Sequence, residues 1–331
     1  MSGPAERIAV DVLTGFLGAG KTTLIRRLLE RGRLRDTAIL VNEFASVPVD
    51  QRLIALSGGT AGVIGEGCLC CVVDGSVRDA LLDLAEQRAV GRLPAFTRVL
   101  IETSGLADPA GLVATLALDR RLKPRFQAGR VVTLVDLAQG EAAIGDTAEA
   151  LSQIVCADTV LLTRSARSGD DRSEAIAARI AALNPLAAIH PDDGAIDPFD
   201  AALPPPRPAE MRRFASIAIE GRHGAVRSGV LRLDGPVAWP AFAAWLSLLA
   251  HRHGDRLLRL KGTLRLAEGG PPVLLQSVRH IVHRPEHLPD AAAADGLEIV
   301  VILRDLDPAL LQRSLAAFVT VAASPARAAA G

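Results

Sequence analysis

The chain has 331 residues, 37 basic against 37 acidic, and an isoelectric point near 7.1. Balanced charge excludes an electrostatic nucleic-acid surface, and 8 phenylalanines, 2 tryptophans and no tyrosine leave little for base stacking. No apolar run reaches the roughly eighteen residues of a membrane span, and MSGPAERIAV opens without an apolar core or cleavage signature, so the expected location is the cytoplasm.

In chain order, Ile8–Leu13 (IAVDVL) is mostly apolar and β-branched, as in a buried parallel strand. Gly15-Phe16-Leu17-Gly18-Ala19-Gly20-Lys21-Thr22 then fits the phosphate-binding pattern G-x-x-x-x-G-K-[ST]. Leu24, Ile25, Leu28 and Leu29 recur at helical spacing, which predicts a helix over Thr22–Arg31. Strand, glycine loop and helix in that order are the context the pattern requires, and they weigh against an ordinary glycine-rich turn. The glycines let backbone N–H groups curl around phosphates at a helix N-terminus that already favours an anion. Lys21 would reach the β- and γ-phosphates, and the Thr22 hydroxyl would ligate Mg²⁺.

A second strand is expected over Thr37–Val41. Gly67-Cys68-Leu69-Cys70-Cys71 packs three thiols into four positions, and the chain has one further cysteine, Cys156. Neighbouring Cys70 and Cys71 are poorly placed to bridge each other, so a soft-metal site is the better reading. Thiolates accept Zn²⁺, Co²⁺ or Cu⁺, and three ligands leave a fourth position open, which suits transfer. The plainer alternative is three small buried residues beside a strand.

Further strands are predicted at Arg98–Ile101, Arg130–Leu134 and Thr159–Thr163, with helices at Ser76–Ala89, Pro109–Leu118, Ala148–Val155 and after Asp171. Alternating strands and helices predict an α/β fold, a mostly parallel sheet with helices on both faces, over residues 1–201. Leu203-Pro204-Pro205-Pro206-Arg207-Pro208 makes 202–210 a stiff linker. A smaller α+β domain is expected over 211–320, with helices on one sheet. Its predicted strands are Ala215–Ile219, Val226–Leu233, Leu257–Leu266, Val273–His283 and Leu297–Leu303, and its helices Pro240–Ala250 and Pro308–Phe318. Residues 321–331 read as a disordered tail.

Taken together, GFLGAGKTT at 15–23, VNEF at 41–44, GCLCC at 67–71, IETSGLADP at 101–109 and QIVCAD at 153–158 resemble the CobW family of P-loop GTPases, the metallochaperone and metal-insertase branch of the SIMIBI class. The resemblance continues through RLLRLKGTLRL at 256–266 and SVRHIVH at 277–283. It implies a P-loop domain followed by a CobW-type C-terminal domain. It also implies slow GTP hydrolysis with Mg²⁺ and delivery of a metal, zinc or cobalt, to a metal-dependent client protein. No nucleic-acid or membrane partner is implied, and a homodimer stays open.

On this resemblance Glu102, ending an apolar strand, takes the position of the acid that holds Mg²⁺ with Thr22, and the Gly105 N–H senses the γ-phosphate. Gly15, Gly18, Ala19, Gly20, Lys21, Thr22, Thr23, Gly105, Thr163 and Arg164 would line the nucleotide. Lys21, Asp50 and Glu102 would serve catalysis, Asp50 by positioning Mg²⁺ or the attacking water, and Cys68, Cys70 and Cys71 would hold the cargo ion. Asp108 reads as a turn or helix cap rather than a catalyst.

The departures bear on function. Where GTPases carry N-K-x-D or T-K-x-D, this chain has Thr163-Arg164-Ser165-Ala166. Ala166 replaces the acid that reads guanine, a loss of about 1–3 kcal/mol, so guanine preference should weaken. Ser46 replaces a second family acid, Val41 stands where some members carry another, and Pro48 stiffens the first switch segment. His251 and His253 read as a helix C-terminal pair, and His280 and His283 as strand residues on opposite faces, none of them ligands. Lys261-Gly262 suggests a functional contact or a bulge. Two alternatives accompany the metallochaperone reading: a degenerate sensor or scaffold that binds both ligands without useful turnover, and a small-molecule P-loop kinase.

Overall fold

A computed structural model of the chain describes residues 7–41, 61–64, 68–72, 76–139, 144, 147–164, 170–200, 218–219, 224–289 and 296–327. The chain divides into two compact units: Met1–Ala177 with Ala188–Pro205, and Ala178–Ala187 with Pro206–Gly331. The expected linker at 202–210 lies outside the described residues.

The first unit is built on eight strands: β1 (Ile8–Gly15), β2 (Thr37–Val41), β3 (Ala61–Ile64), β4 (Cys68–Val72), β5 (Arg98–Glu102), β6 (Phe126–Asp136), β7 (Thr159–Thr163) and β8 (Ala188–Pro191). Their order across the sheet is β3-β4-β2-β5-β1-β6-β7-β8. Every pairing is parallel except β3 with β4. The helices are α1 (Lys21–Glu30), α2 (Val77–Ala89), α3 (Pro109–Leu118), α4 (Ala148–Cys156) and α5 (Asp170–Leu183), the last running past Ala177 into residues of the second unit.

Strand side chains alternate between two cores, as a period of two requires. Ala38 and Leu40 of β2 and Val99 and Ile101 of β5 join Leu81, Leu82, Leu84 and Ala85 of α2. Ile39 and Val41 of β2 and Leu100 of β5 join Leu24, Ile25 and Leu28 of α1. The apolar stripe that predicted α1 is thus the face it buries, and the sheet is covered on both sides. After β5 the chain passes over β1 to reach β6, so strand order reverses at β1. In open α/β sheets, ligands sit at the carboxyl ends of strands beside such a reversal.

The middle of β1 carries a buried ion pair. Asp11 is 3% exposed. It sits where the β1–β6 register shifts between Val10 and Val12. Its carboxylate accepts from Arg98 Nε at 2.5 Å and from the Arg130 N–H at 2.6 Å. Arg98 also donates to the Phe199 carbonyl and lies 5.6 Å from the Phe199 ring centroid. Gly129 is obligatory there, because a Cβ would strike Asp11 Oδ1.

The second unit is a seven-stranded antiparallel sheet: β9 (Ala218–Ile219), β10 (Val226–Leu233), β11 (Leu257–Leu264), β12 (Val273–Val278), β13 (Ile281–Val282), β14 (Glu286–His287) and β15 (Leu297–Arg304). Helices α6 (Trp239–His253) and α7 (Pro308–Arg327) pack on it through Phe242, Trp245, Leu246, Leu249, Leu311 and Leu315. This is the α+β arrangement expected from the sequence.

Several elements differ from expectation. The strands β3, β4, β8 and β14 were not anticipated, and β6 begins four residues before the expected Arg130. The closing helix continues to Arg327, past Phe318 and into the stretch read as a disordered tail. The expected strand Val273–His283 is a hairpin: β12 and β13 pair Val278 with Ile281, and Arg279 takes φ 50°. His280 therefore sits in the turn and His283 beyond β13, not on opposite faces of one strand. At Lys261-Gly262 the β11–β15 register is continuous, and the shift lies between Leu257 and Arg259. Gly262 instead admits the Glu298 and Ile299 backbone, which a Cβ would strike.

Burial pushes the Asp11 carboxyl up from its ordinary 3.8, against the pull of Arg98. The folded state thus holds this proton more tightly than the unfolded chain. Its stabilising contribution is full below the ordinary value and is lost as pH rises through the raised folded value. The stability of Asp11→Asn relative to the unmodified chain should therefore rise as the pH is raised above about 4 in urea unfolding. A flat or opposite trend in that difference would contradict the assignment.

Candidate functional site

The loop after β1 is shaped by glycine. Gly18 and Gly20 take φ of 76° and 100°, and Gly20 caps α1. Gly15, at φ 141°, lies against β6, where a Cβ would sit 2.5 Å from the Leu134 carbonyl oxygen. Ala19 is buried and its N–H donates to Phe16 O at 3.1 Å, closing the turn. Lys21 Nζ donates to Gly15 O at 2.8 Å, so the ammonium lies over the mouth of the loop. Thr23, the next residue but one, is exposed at the first turn of α1.

Parallel pairing places Leu13 of β1 beside Glu102, the last residue of β5. That register brings Thr22 Oγ1 to 2.9 Å from Glu102 Oε1, to which it donates. Glu102 is 6% exposed. A hydroxyl and a carboxylate meeting beside a phosphate-type loop are hard oxygen donors that fit Mg²⁺. Beyond Glu102, the Thr103 N–H donates to Leu13 O at 2.9 Å and its hydroxyl to Thr14 Oγ1 at 2.9 Å. Gly105 then packs against the phosphate loop: a Cβ there would lie 2.6 Å from Leu17 Cδ2 and 2.7 Å from the Leu17 nitrogen.

The third loop follows β7. Thr163 is buried at its end, and Arg164 takes φ 60°. Arg164 pairs with Asp136 at 2.5 Å and donates to the Gly18 carbonyl at 3.2 Å. It thus ties the end of β6 to the phosphate loop. Asp136 was missed in the sequence, although it ends an apolar strand as Glu102 does. Also missed were Ser152 and Gln153 of α4, despite their place beside or within the quoted motif QIVCAD. Gln153 Nε2 donates to Gly105 O at 3.0 Å and Ala107 O at 3.1 Å. Ser152 Oγ donates to Asp108 Oδ1 at 2.6 Å. That same oxygen caps α3 by accepting from the Ala110 N–H at 3.0 Å, as expected of Asp108.

Strand β4 carries the backbones of Cys68, Cys70 and Cys71. It pairs with β2, and β2 with β5, so Val41 has Val72 on one side and Glu102 on the other. Among the described residues, no three His, Cys, Asp or Glu side chains are grouped to hold a metal ion. Asp50, Asn42-Glu43-Phe44, Ser46, Pro48, Gly67 and Ala166 lie outside the described residues, as do the side chains of the three cysteines. In the second unit, His251, His253 and His280 border one open cavity of about 510 Å³. Cys156 is buried at 3% exposure.

Comparison with known proteins bears on this arrangement. The family model described as CobW/HypB/UreG, nucleotide-binding domain, matches residues 9–191, and that for the cobalamin synthesis protein cobW C-terminal domain matches residues 226–319. The zinc chaperone YjiA of Escherichia coli (strain K12) is 32% identical over 281 residues, covering 83% of this chain and 87% of that protein. Zinc-regulated GTPase metalloprotein activator 1 of Schizosaccharomyces pombe is 32% identical over 191 residues, 56% of this chain and 45% of that protein. The crystal structure of Zn(II)-bound YjiA GTPase from E. coli superposes with a TM-score of 0.71 at 28% identity, covering 94% of this chain and 99% of that one. No described helix is long and apolar enough to cross a membrane.

The close approach of Gly105 to Leu17 can be tested against a second glycine. Two of its nearest neighbours are backbone atoms, which cannot yield as a flexible side-chain tip can. Gly105→Ala should cost about 1–3 kcal/mol in urea unfolding. Gly111→Ala should be neutral or stabilise by up to about 1 kcal/mol, because Gly111 lies within α3 with nothing near its Cβ position. Equal effects at the two positions would contradict the packing.

Proposed function

The chain belongs to the CobW/HypB/UreG family, and we propose that it is a nucleotide-dependent metallochaperone. It binds a nucleoside triphosphate with Mg²⁺ at Gly15–Thr23, hydrolyses it slowly, and carries a transition metal on Cys68, Cys70 and Cys71 to a client protein. The observation that carries this reading is a row of the sheet. Val72, Val41 and Glu102 stand side by side across β4, β2 and β5. The end of the cysteine strand and the acid beside Thr22 are thus two strand spacings apart, roughly 10 Å. The names of the relatives, a zinc chaperone and a zinc-regulated GTPase metalloprotein activator, support zinc as cargo and GTP as nucleotide.

In this reading Lys21 exchanges its bond to Gly15 O for the β- and γ-phosphate oxygens. Thr22 and Glu102 hold Mg²⁺, which supplies charge to offset that developing on the phosphates. The Gly105 N–H meets the γ-phosphate. Arg164, fixed between Asp136 and Gly18, lies along the base in place of the usual lysine. With Ala166 where an acid normally reads guanine, GTP is preferred over ATP only modestly. Asp50 positions Mg²⁺ or the attacking water.

Two outcomes are expected. Lys21→Ala should weaken triphosphate binding strongly in calorimetry while leaving the fold intact; unchanged affinity would overturn the phosphate-site assignment. Metal and nucleotide should also be coupled. A coupling of about 1–3 kcal/mol makes metal binding roughly 5–150-fold tighter with a non-hydrolysable triphosphate than with the diphosphate. A chelator competition with zinc and each nucleotide, with Mg²⁺ present, reads this directly. Equal metal affinities in both states would remove the switch and leave a scaffold that holds two ligands.

A further inference from the structure

Helix α4 buries Leu151, Ile154, Val155 and Cys156, yet it carries Gln153 at 1% exposure. Burying a carboxamide is costly unless its hydrogen-bonding groups are met. Here Nε2 donates to two main-chain carbonyls, those of Gly105 and Ala107. The backbone of the same residue is anchored, since the Gln153 carbonyl accepts from Thr133 Oγ1 of β6 at 2.7 Å. One helical position earlier, Ser152 grips the Asp108 carboxylate that caps α3. Two neighbouring residues of α4 therefore hold both ends of the segment 105–108. Gly105 is caught from two sides. Its carbonyl is taken by Gln153, and its Cα lies against Leu17 of the phosphate loop. Both of these side-chain bonds go to the segment that follows Glu102.

We propose that Gln153 is a positioning residue for the nucleotide reaction: by donating to the Gly105 and Ala107 carbonyls it holds the segment following Glu102 in the path that presents the Gly105 N–H to the γ-phosphate. It touches no substrate itself and acts through the main chain of 105–107. Ser152 supports it through Asp108. The inference rests on the nucleotide-binding reading above, and it assigns to α4 the task of setting the loop that distinguishes triphosphate from diphosphate.

The test compares Gln153→Met, which keeps an unbranched side chain without the amide, and Gln153→Glu, which keeps the shape but replaces the donor with an acceptor. Ser152→Ala serves where either variant fails to fold. Hydrogen exchange on nucleotide-free protein reads the loop directly. The amides of residues 104–108 should exchange at least about tenfold faster in the variants, with α1 and β1 unchanged. Per diphosphate-binding site, kcat should fall at least about tenfold, while diphosphate affinity stays within about threefold, because Gly15–Thr23 is untouched. A residue that served stability alone would lower the melting temperature and leave kcat per site unchanged. Unchanged turnover in the variants beside an active unmodified protein overturns this proposal alone. An unmodified protein that binds no nucleotide overturns the parent reading and this one with it, while the exchange data still report whether α4 holds the loop.

Discussion

The parallel pairing of β1 with β5 is the constraint on which the candidate site depends. Each strand ends in a loop that carries chemistry, and Leu13 beside Glu102 sets where those loops meet. Thr22 is one turn beyond β1 and Glu102 is the last residue of β5, yet their side chains bond at 2.9 Å. A slip of one residue in this pairing would turn Glu102 to the opposite face of the sheet and separate the two oxygens. The two cores discourage such a slip, since Val99 and Ile101 face α2 while Leu100 faces α1. Burial of ordinary aliphatic side chains thus fixes the geometry of a polar pair that contributes little to the cores.

In the middle of β1, the buried pair of Asp11 and Arg98 does different work. Removing a carboxylate from water costs more than a surface pair could return, so the pair is weak evidence for stability as such. Its partners suggest registration instead. Asp11 lies at the irregularity between β1 and β6 and binds the Arg130 N–H, while Arg98 reaches Phe199 beyond β8. Arg27 pairs with Asp192 and Arg31 donates to Gly194, so three arginines hold the segment 192–199 to α1 and β5 within the first unit.

Much of this was legible in the sequence because the physics is local. The glycine loop needs positive φ at Gly18 and Gly20, and a lysine and a threonine at fixed offsets. Apolar residues with helical spacing gave α1, and alternating strands and helices gave the parallel sheet. What escaped was set by partners distant in the chain. β6 was expected to begin at Arg130 and begins instead at Phe126. Gly129 is there for the Asp11 carboxylate, 118 positions earlier, which the local sequence does not show. β8 is short, ends in Pro191 and lies at the sheet edge, where a missing donor is tolerated. Gln153 looked like one more helix residue, since the carbonyls it serves lie near position 105.

The arrangement limits how a metal site and a nucleotide site could inform each other. β4, β2 and β5 are joined by continuous parallel ladders, and the row Val72, Val41 and Glu102 is part of that lattice. Sliding or tilting one strand would break several ladder bonds at once, so the sheet is a poor carrier of a switch. A two-state element must instead be a segment with few such bonds and two alternative sets of partners. The segment after Glu102 meets the first of these conditions, since it lies outside the sheet ladders. It is held to β1 by Thr103, to the phosphate loop by contact at Gly105, and to α4 by Gln153 and Ser152. These are one main-chain bond, a few side-chain bonds and one van der Waals contact, the bonds individually worth about 1 kcal/mol. A γ-phosphate offering charge-assisted bonds of roughly twice that strength could redistribute them without disturbing the sheet. On the metallochaperone reading, the rigid row sets the distance between the two sites and the loop carries the signal between their states.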